Sequence, residues 1–124
     1  MELKADIISN RFLRFAVDII KLVSALGDKP VHRHIGMQLF RSATAIGANY
    51  EEARGAESTQ DFIHKMQIVL KESRESLYWL KLISESGITK NPNVAEILDE
   101  NRQICDIVAK SIKTLKSKNK AKPI

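Results

Sequence analysis

The residue types that could do chemistry in this sequence are carboxylates and histidines spaced along predicted helices. Di-iron sites in helix bundles use a Glu-x-x-His motif from each of two helices and one further Glu from each of the other two. The chain has one related half-motif, Asp61-Phe-Ile-His64, and its acid-rich stretch of Glu96, Asp99 and Glu100 contains no histidine. One half-motif does not meet a requirement for two, so the sequence predicts no metal site and no cofactor.

Other reactive side chains lack the neighbours that catalysis requires. His32 and His34 stand two positions apart, do not share a helix face, and fit solvated surface better than a metal or phosphate contact. Cys105, the only cysteine, has no nearby base and fits a small core residue in a reducing, cytoplasmic protein. The sequence has no Gly-x-Ser-x-Gly motif and no glycine-rich phosphate loop. We therefore predict no enzymatic activity and assign no catalytic residue.

A set of polar residues forms the best candidate for a network or a binding site. A buried polar group without a partner costs about 1–3 kcal/mol, so such residues are expected to pair. We favour an interhelical network, for example Arg41 with Glu72, that fixes helix register or subunit contacts. A ligand or partner site is the alternative. The candidate residues are Arg41, Asn49, Glu52, Glu72 and Glu75.

The elements that must position these side chains are four amphipathic helices. Apolar residues recur at three- and four-residue steps, and glycine or proline stands at each junction. Long helices with short linkers predict an all-α, antiparallel up-down-up-down four-helix bundle. The predicted helices cover residues 8–26, 30–55, 58–87 and 91–117. We assign residues 1–117 to the bundle domain and residues 118–124 to a disordered basic tail.

Apolar residues outside the inner stripe of the third helix predict a subunit interface. The stripe itself runs from Phe62 to Ile83, and one helix seam does not need more apolar surface than that. Tryptophan and tyrosine are frequent anchors of protein interfaces. Ordinary core packing is the alternative interpretation. The predicted interface residues are Ile68, Tyr78, Trp79 and Leu82, and Ile63 also falls outside the stripe.

The net charge of +5 comes from the C-terminal end of the chain. Residues 1–109 hold 14 basic and 15 acidic side chains, a net charge of −1. The six lysines beyond them could contact phosphates in a salt-dependent, sequence-independent way, or they could simply be solvated. No apolar run approaches the roughly 20 residues of a membrane span, so no membrane partner is expected. These lysines are Lys110, Lys113, Lys116, Lys118, Lys120 and Lys122.

Three motifs in combination resemble a bacterial protein family. They are Gln38-Leu-x-Arg41-Ser-Ala-x-x-Ile46-Gly-Ala-Asn49-Tyr-x-Glu52-Ala, Ser58-x-x-Asp61-Phe62-x-x-Lys65-Met66, and Leu70-Lys71-Glu72-x-x-Glu75-x-x-Tyr78-Trp79-Leu80. This combination is similar to the "four helix bundle protein" family, whose members include proteins encoded in intervening sequences of large-subunit ribosomal RNA genes. Accessory proteins of diversity-generating retroelements are similar to the same family.

The resemblance implies an up-down bundle that assembles into a ring-like homopentamer without established enzymatic activity. For the retroelement relatives it implies a basic protein that binds nucleic acid and a reverse transcriptase. We therefore expect a non-enzymatic assembly or accessory module that presents a ring surface to a protein or nucleic-acid partner. The alternative is an RNA- or DNA-binding protein that acts through the bundle surface. An enzyme with a carboxylate or metal site is the least favoured interpretation.

Overall fold

The computed structural model describes residues 3–121, with side chains through Asn119. Each helix packs against its neighbour in the chain, and the first also packs against the fourth. This arrangement confirms the predicted four-helix bundle, and no strand occurs within the described residues. The helices are α1 (Lys4–Ser24), α2 (Pro30–Arg54), α3 (Thr59–Ser86) and α4 (Val94–Ala121).

Local chemistry at the ends of α2 and α3 sets their boundaries where the sequence predicted them. Pro30 occupies the first turn of α2, where its missing N–H removes no helical hydrogen bond. The Ser58 hydroxyl oxygen accepts a hydrogen bond of 3.0 Å from the Asp61 backbone N–H and caps α3. Gly87 follows α3 in the left-handed conformation, with φ of 66°, which favours glycine because it has no Cβ.

Helix α4 differs from the prediction at both ends. Asn91 was expected to cap it, but its side-chain oxygen accepts from the Asn93 N–H at 2.9 Å and closes a turn before the helix begins. The predicted disorder from residue 118 is wrong for residues 118–121, because α4 continues through Ala121. Lysine is a good helix former and a cation near a helix C-terminus is favourable, so this segment needs no other support. Residues 122–124 lie outside the described part of the chain.

The core is one continuous apolar cluster contributed by all four helices, as the helical periodicity predicted. Three positions differ from the predicted stripes. Ile63 is buried in the core, whereas Ile20 and Val31, which were expected to extend inner stripes, are exposed. The largest fully buried side chains are Phe12, Phe15, Ile19, Leu22, Leu39, Ile46, Leu80, Ile83, Ile104, Val69, Val108 and Asn101.

A close approach of α1 and α2 explains one of the two glycines inside α2. A Cβ at Gly36 would lie 3.2 Å from Val23 Cγ1, which is tighter than ordinary van der Waals contact. A Cβ at Gly47 would lie 3.6 Å from Phe12 Cβ, which is an ordinary contact distance. The expected close helix contact is therefore confirmed at Gly36, while the space at Gly47 would accept a methyl group.

A buried polar cluster joins α3 to α4. Asn101 Nδ2 donates to the Ser73 carbonyl oxygen at 2.9 Å, and the Ser76 hydroxyl donates to Asn101 Oδ1 at 2.7 Å. The half-buried Cys105 thiol donates to the Ser73 hydroxyl oxygen at 3.3 Å. Because each polar group is satisfied only in one alignment of the helices, the cluster fixes the register of α3 against α4.

We expect Asn101→Ala to lower the free energy of unfolding by about 1–3 kcal/mol, because it removes the partner of the buried Ser76 hydroxyl. Chemical denaturation followed by circular dichroism measures this change. Asn119→Ala is the matched control, since Asn119 is exposed on the same helix and its replacement is expected to change stability by less than about 0.5 kcal/mol. Equal effects of the two variants would contradict a register-fixing role for Asn101.

Candidate interface on helices α2 and α3

The polar residues predicted to form an interhelical network meet on the surface between α2 and α3. Arg41 donates hydrogen bonds to Glu75 and, over 3.4 Å, to Glu72. The predicted contact of Arg41 with Glu72 is present, and Glu75 is the closer partner. The network is only partly buried, because the Arg41 side chain is 49% exposed while that of Glu72 is 12% exposed.

The Glu75 carboxylate is held from two sides. Its Oε2 atom accepts from Arg41 and also from Trp79 Nε1–H at 3.1 Å. Desolvation raises the pKa of Glu75, but the hydrogen bonds from Arg41 and Trp79, together with nearby positive charge, outweigh it and lower the pKa. The hydrogen bond to Glu75 correspondingly raises the pKa of Arg41. Both groups are therefore charged at neutral pH.

Three aromatic rings lie beside this ion pair. Trp79 makes edge-to-face contacts with Tyr78, at a centroid distance of 5.1 Å, and with His34 of α2, at 6.0 Å. Tyr78 is 57% exposed, whereas Trp79 and Leu82 pack partly against the core of their own chain. Ile68 is half-buried. We call Arg41, Glu72, Glu75, Tyr78, Trp79 and His34 the α2/α3 cluster.

The structure separates two of the predicted polar residues from this cluster and adds one that the sequence analysis missed. Asn49 donates its side-chain N–H to the Ala45 carbonyl oxygen at 2.8 Å, within its own helix. Glu52 is exposed further along α2. His34 was assigned to solvated surface, but it lies seven residues before Arg41 and so shares its helix face, which is the signal that could have found it.

The acids and histidines considered for a metal site are engaged elsewhere or dispersed. Asp61 takes part in the cap of α3, and His64 is exposed. Glu100 accepts hydrogen bonds of 2.7 and 2.8 Å from Arg11, whose pKa is raised by this contact. Within residues 3–121, no group of three or more His, Cys, Asp or Glu side chains is placed to hold a metal ion.

Four of the predicted phosphate-contacting lysines are exposed on α4, namely Lys110, Lys113, Lys116 and Lys118. Lys120 belongs to the helix, but its side chain lies outside the described side chains, and Lys122 lies outside the described residues. None of the helices in the described part of the chain is both long and apolar enough to cross a membrane.

Comparison with known proteins decides the family. A family model described as 23S rRNA-intervening sequence protein matches residues 5–110. The chain belongs to this family. The match confirms the resemblance drawn from the motifs of α2 and α3, and it includes the whole α2/α3 cluster. The lysine-rich end of α4 beyond Lys110 lies outside the match to the intervening sequence protein family.

A solved structure shows the same fold. The chain is 33% identical to a protein with unknown function from the S23 ribosomal protein family of Bacteroides thetaiotaomicron, and the TM-score is 0.80. The similarity covers 90% of this chain and 99% of that one. A comparison with curated proteins finds no significant match.

We expect Arg41→Ala to raise the pKa of Glu75 toward the usual value of about 4.3 for glutamate, because it removes the charged donor. Trp79 is the only tryptophan and donates to Glu75, so its fluorescence reports protonation of that carboxylate. A lowered pKa makes the contribution of Glu75 to stability complete above its unfolded pKa, and that contribution is lost as the pH falls through the folded value. The fluorescence titration of the variant should therefore have its midpoint at a higher pH.

Arg54→Ala is the control for this titration. Arg54 pairs with Asp6 at 2.8 Å on another part of the surface, so its removal should leave the fluorescence midpoint unchanged. An unchanged midpoint in Arg41→Ala as well would show that Arg41 does not set the pKa of Glu75.

Proposed function

We propose that this protein is a non-enzymatic assembly module of the cytoplasm that self-associates through the α2/α3 cluster. The observation that carries the proposal is an exposed tyrosine packed on a tryptophan whose polar edge is already bonded to Glu75. Tyrosine, tryptophan and arginine dominate the binding energy of protein interfaces, and here all three lie together on one surface. The family resemblance supports a ring-like homopentamer as the product of assembly.

The cluster suits docking because its side chains are already fixed. Glu75 is bonded from both sides, and Trp79 is packed on the core and on two further rings. A surface whose rotamers are settled before binding loses less side-chain entropy when a partner arrives. The ring would then present its outer surface to a protein or nucleic-acid partner.

The same geometry is poorly suited to proton transfer. A general base works best with a pKa near the operating pH, and contact with Arg41 and Trp79 moves the pKa of Glu75 in the opposite direction. A carboxylate held between two donors is stabilised in its charged form. Binding is therefore a better use of this cluster than acid–base catalysis.

A nucleic-acid-binding role is the second candidate function, and the exposed lysines of α4 favour it. Lys110, Lys113, Lys116 and Lys118 lie on a helix, which spaces their charges along one element rather than in a loose tail. Such lysines attract phosphates without reading sequence, and counterion release makes the affinity depend steeply on salt.

We expect the wild-type protein to sediment as an oligomer and Tyr78→Ala to shift it toward the monomer, with at least about a tenfold weaker association, as truncation of an interface anchor typically produces. Sedimentation equilibrium measures this shift. Tyr78 is a cleaner test than Trp79, because Trp79 also supports the core of its own chain. Leu3→Ala is the control, since Leu3 is 65% exposed and lies far from the cluster in the sequence. A monomeric wild-type protein would refute self-association.

The second candidate predicts a triple variant with Lys113→Gln, Lys116→Gln and Lys118→Gln that loses most of its affinity for structured RNA and for duplex DNA. Fluorescence anisotropy at several salt concentrations measures both the affinity and its salt slope. Substitution is preferable to cutting the chain after Ser111, because that cut would remove the buried Ile112 and the packed Leu115. Preference for RNA that survives in the triple variant would place the nucleic-acid surface on the bundle body instead.

A further inference from the structure

A second apolar surface lies on the side of the bundle formed by α1 and α2. It contains a concavity of about 610 Å³ whose apolar lining includes Ile20, Met37 and Phe40. Large apolar side chains continue from it along α1, and their exposed fractions range from 39% at Phe40 to 61% at Met37. We call this surface the α1/α2 groove and define it by Leu13, Val17, Ile20, Met37 and Phe40.

The residues of the α1/α2 groove form one patch rather than scattered exposures. Gly36 lies against Val23 and Gly47 lies against Phe12, so α1 and α2 run antiparallel in a fixed register. That register places Ile20 beside Phe40 and Val17 further along the same seam. A contiguous exposed apolar patch marks a site of protein association, whereas single exposed apolar residues do not.

Tyr78 lies level with the groove along the bundle axis, on the adjacent side of the molecule. His34 contacts Trp79, and Arg41 bonds to Glu75, so the α2 segment between His34 and Arg41 runs beside the α3 segment between Glu75 and Trp79. Met37 and Tyr78 therefore occupy nearly the same height. In a cyclic assembly with bundles side by side, residues of the same height on neighbouring copies can meet.

The charges beside the two surfaces are complementary. The groove is also lined by Arg33, His32 and His34, and no carboxylate lines it. Glu85 follows Tyr78 by seven residues on the same face of α3, and Arg33 precedes Phe40 by the same number on α2, a rise of about 10.5 Å in each case. The two pairs can therefore align together.

Both charged residues stand at the end of a helix that disfavours their sign. Arg33 lies near the N-terminus of α2, whose first turn contains no acid, and Glu85 lies in the last turn of α3, which contains no basic residue. Helix dipoles favour the opposite arrangement. A partner that brings Glu85 to Arg33 would relieve both helix ends at once.

We propose that Tyr78 of one copy docks in the α1/α2 groove of the next copy, with Glu85 opposite Arg33. The inference rests on the proposed self-association and names the second half of that interface. Two different surfaces then meet, so the contact is heterologous. Because the surfaces lie on adjacent sides of a four-helix bundle, roughly 90° apart, repetition closes a ring of about four or five copies rather than a filament.

A mixing experiment tests this pairing. Met37→Glu places a charge in the groove and Tyr78→Glu places one on the docking residue, and both positions are exposed enough for the monomer to fold. Each variant alone should sediment as a monomer. A mixture of the two retains one intact groove and one intact Tyr78, so it should form a heterodimer whose population rises with concentration.

The outcomes separate this inference from the proposed function. A monomeric wild-type protein overturns both. An oligomeric wild type with either single variant still fully assembled, or with a mixture that stays monomeric, overturns the pairing and leaves self-association intact. Leu3→Glu is the matched control, because it adds the same charge at an exposed apolar position outside both surfaces and should assemble as the wild type does.

Charge reversal tests the second contact. Arg33→Glu alone should weaken association at least tenfold, and the double variant Arg33→Glu with Glu85→Arg should restore most of it. Failure of the second substitution to restore assembly would remove Glu85 and Arg33 from the interface.

Discussion

The alignment of the bundle depends on polar groups that must keep their hydrogen bonds. Asn101 is fully buried, and its partners Ser73 and Ser76 lie on the facing helix, so a shift of α4 along α3 would leave several polar atoms unpaired. Apolar side chains tolerate such a shift far better, because their packing is not directional. The buried amide therefore selects one register among the alignments that the apolar stripes alone would permit.

The surface between α2 and α3 uses the same principle with charges. Arg41 and Trp79 donate to one carboxylate, which ties an ion pair, an aromatic platform and two helices to a single residue, Glu75. A cluster built in this way is rigid but half open to solvent. Rigidity together with exposed aromatic surface is the combination that protein interfaces select, and it connects the fold of this intervening sequence protein to its proposed role in assembly.

The candidate site was predictable from sequence in its parts but not in its composition. Arg41, Glu72 and Glu75 were named as a network, and Tyr78 and Trp79 as an interface, yet the two groups were treated as separate features. They form one cluster because Trp79 follows Glu75 by one helical turn and reaches the same carboxylate oxygen. Asn49 shows the converse limit, since a polar residue in the right stretch can satisfy itself within its own helix.

The sequence by itself determined the helices, most of the core and the family, because periodicity, caps and the motifs of α2 and α3 are local properties of the chain. The tertiary structure decided which side of each helix is covered. Ile20 fits the apolar pattern of α1 as well as Ile19 does, but only Ile19 is covered by the other helices. Burial depends on how the four helices pack together, and a single helix cannot specify the position of its neighbours.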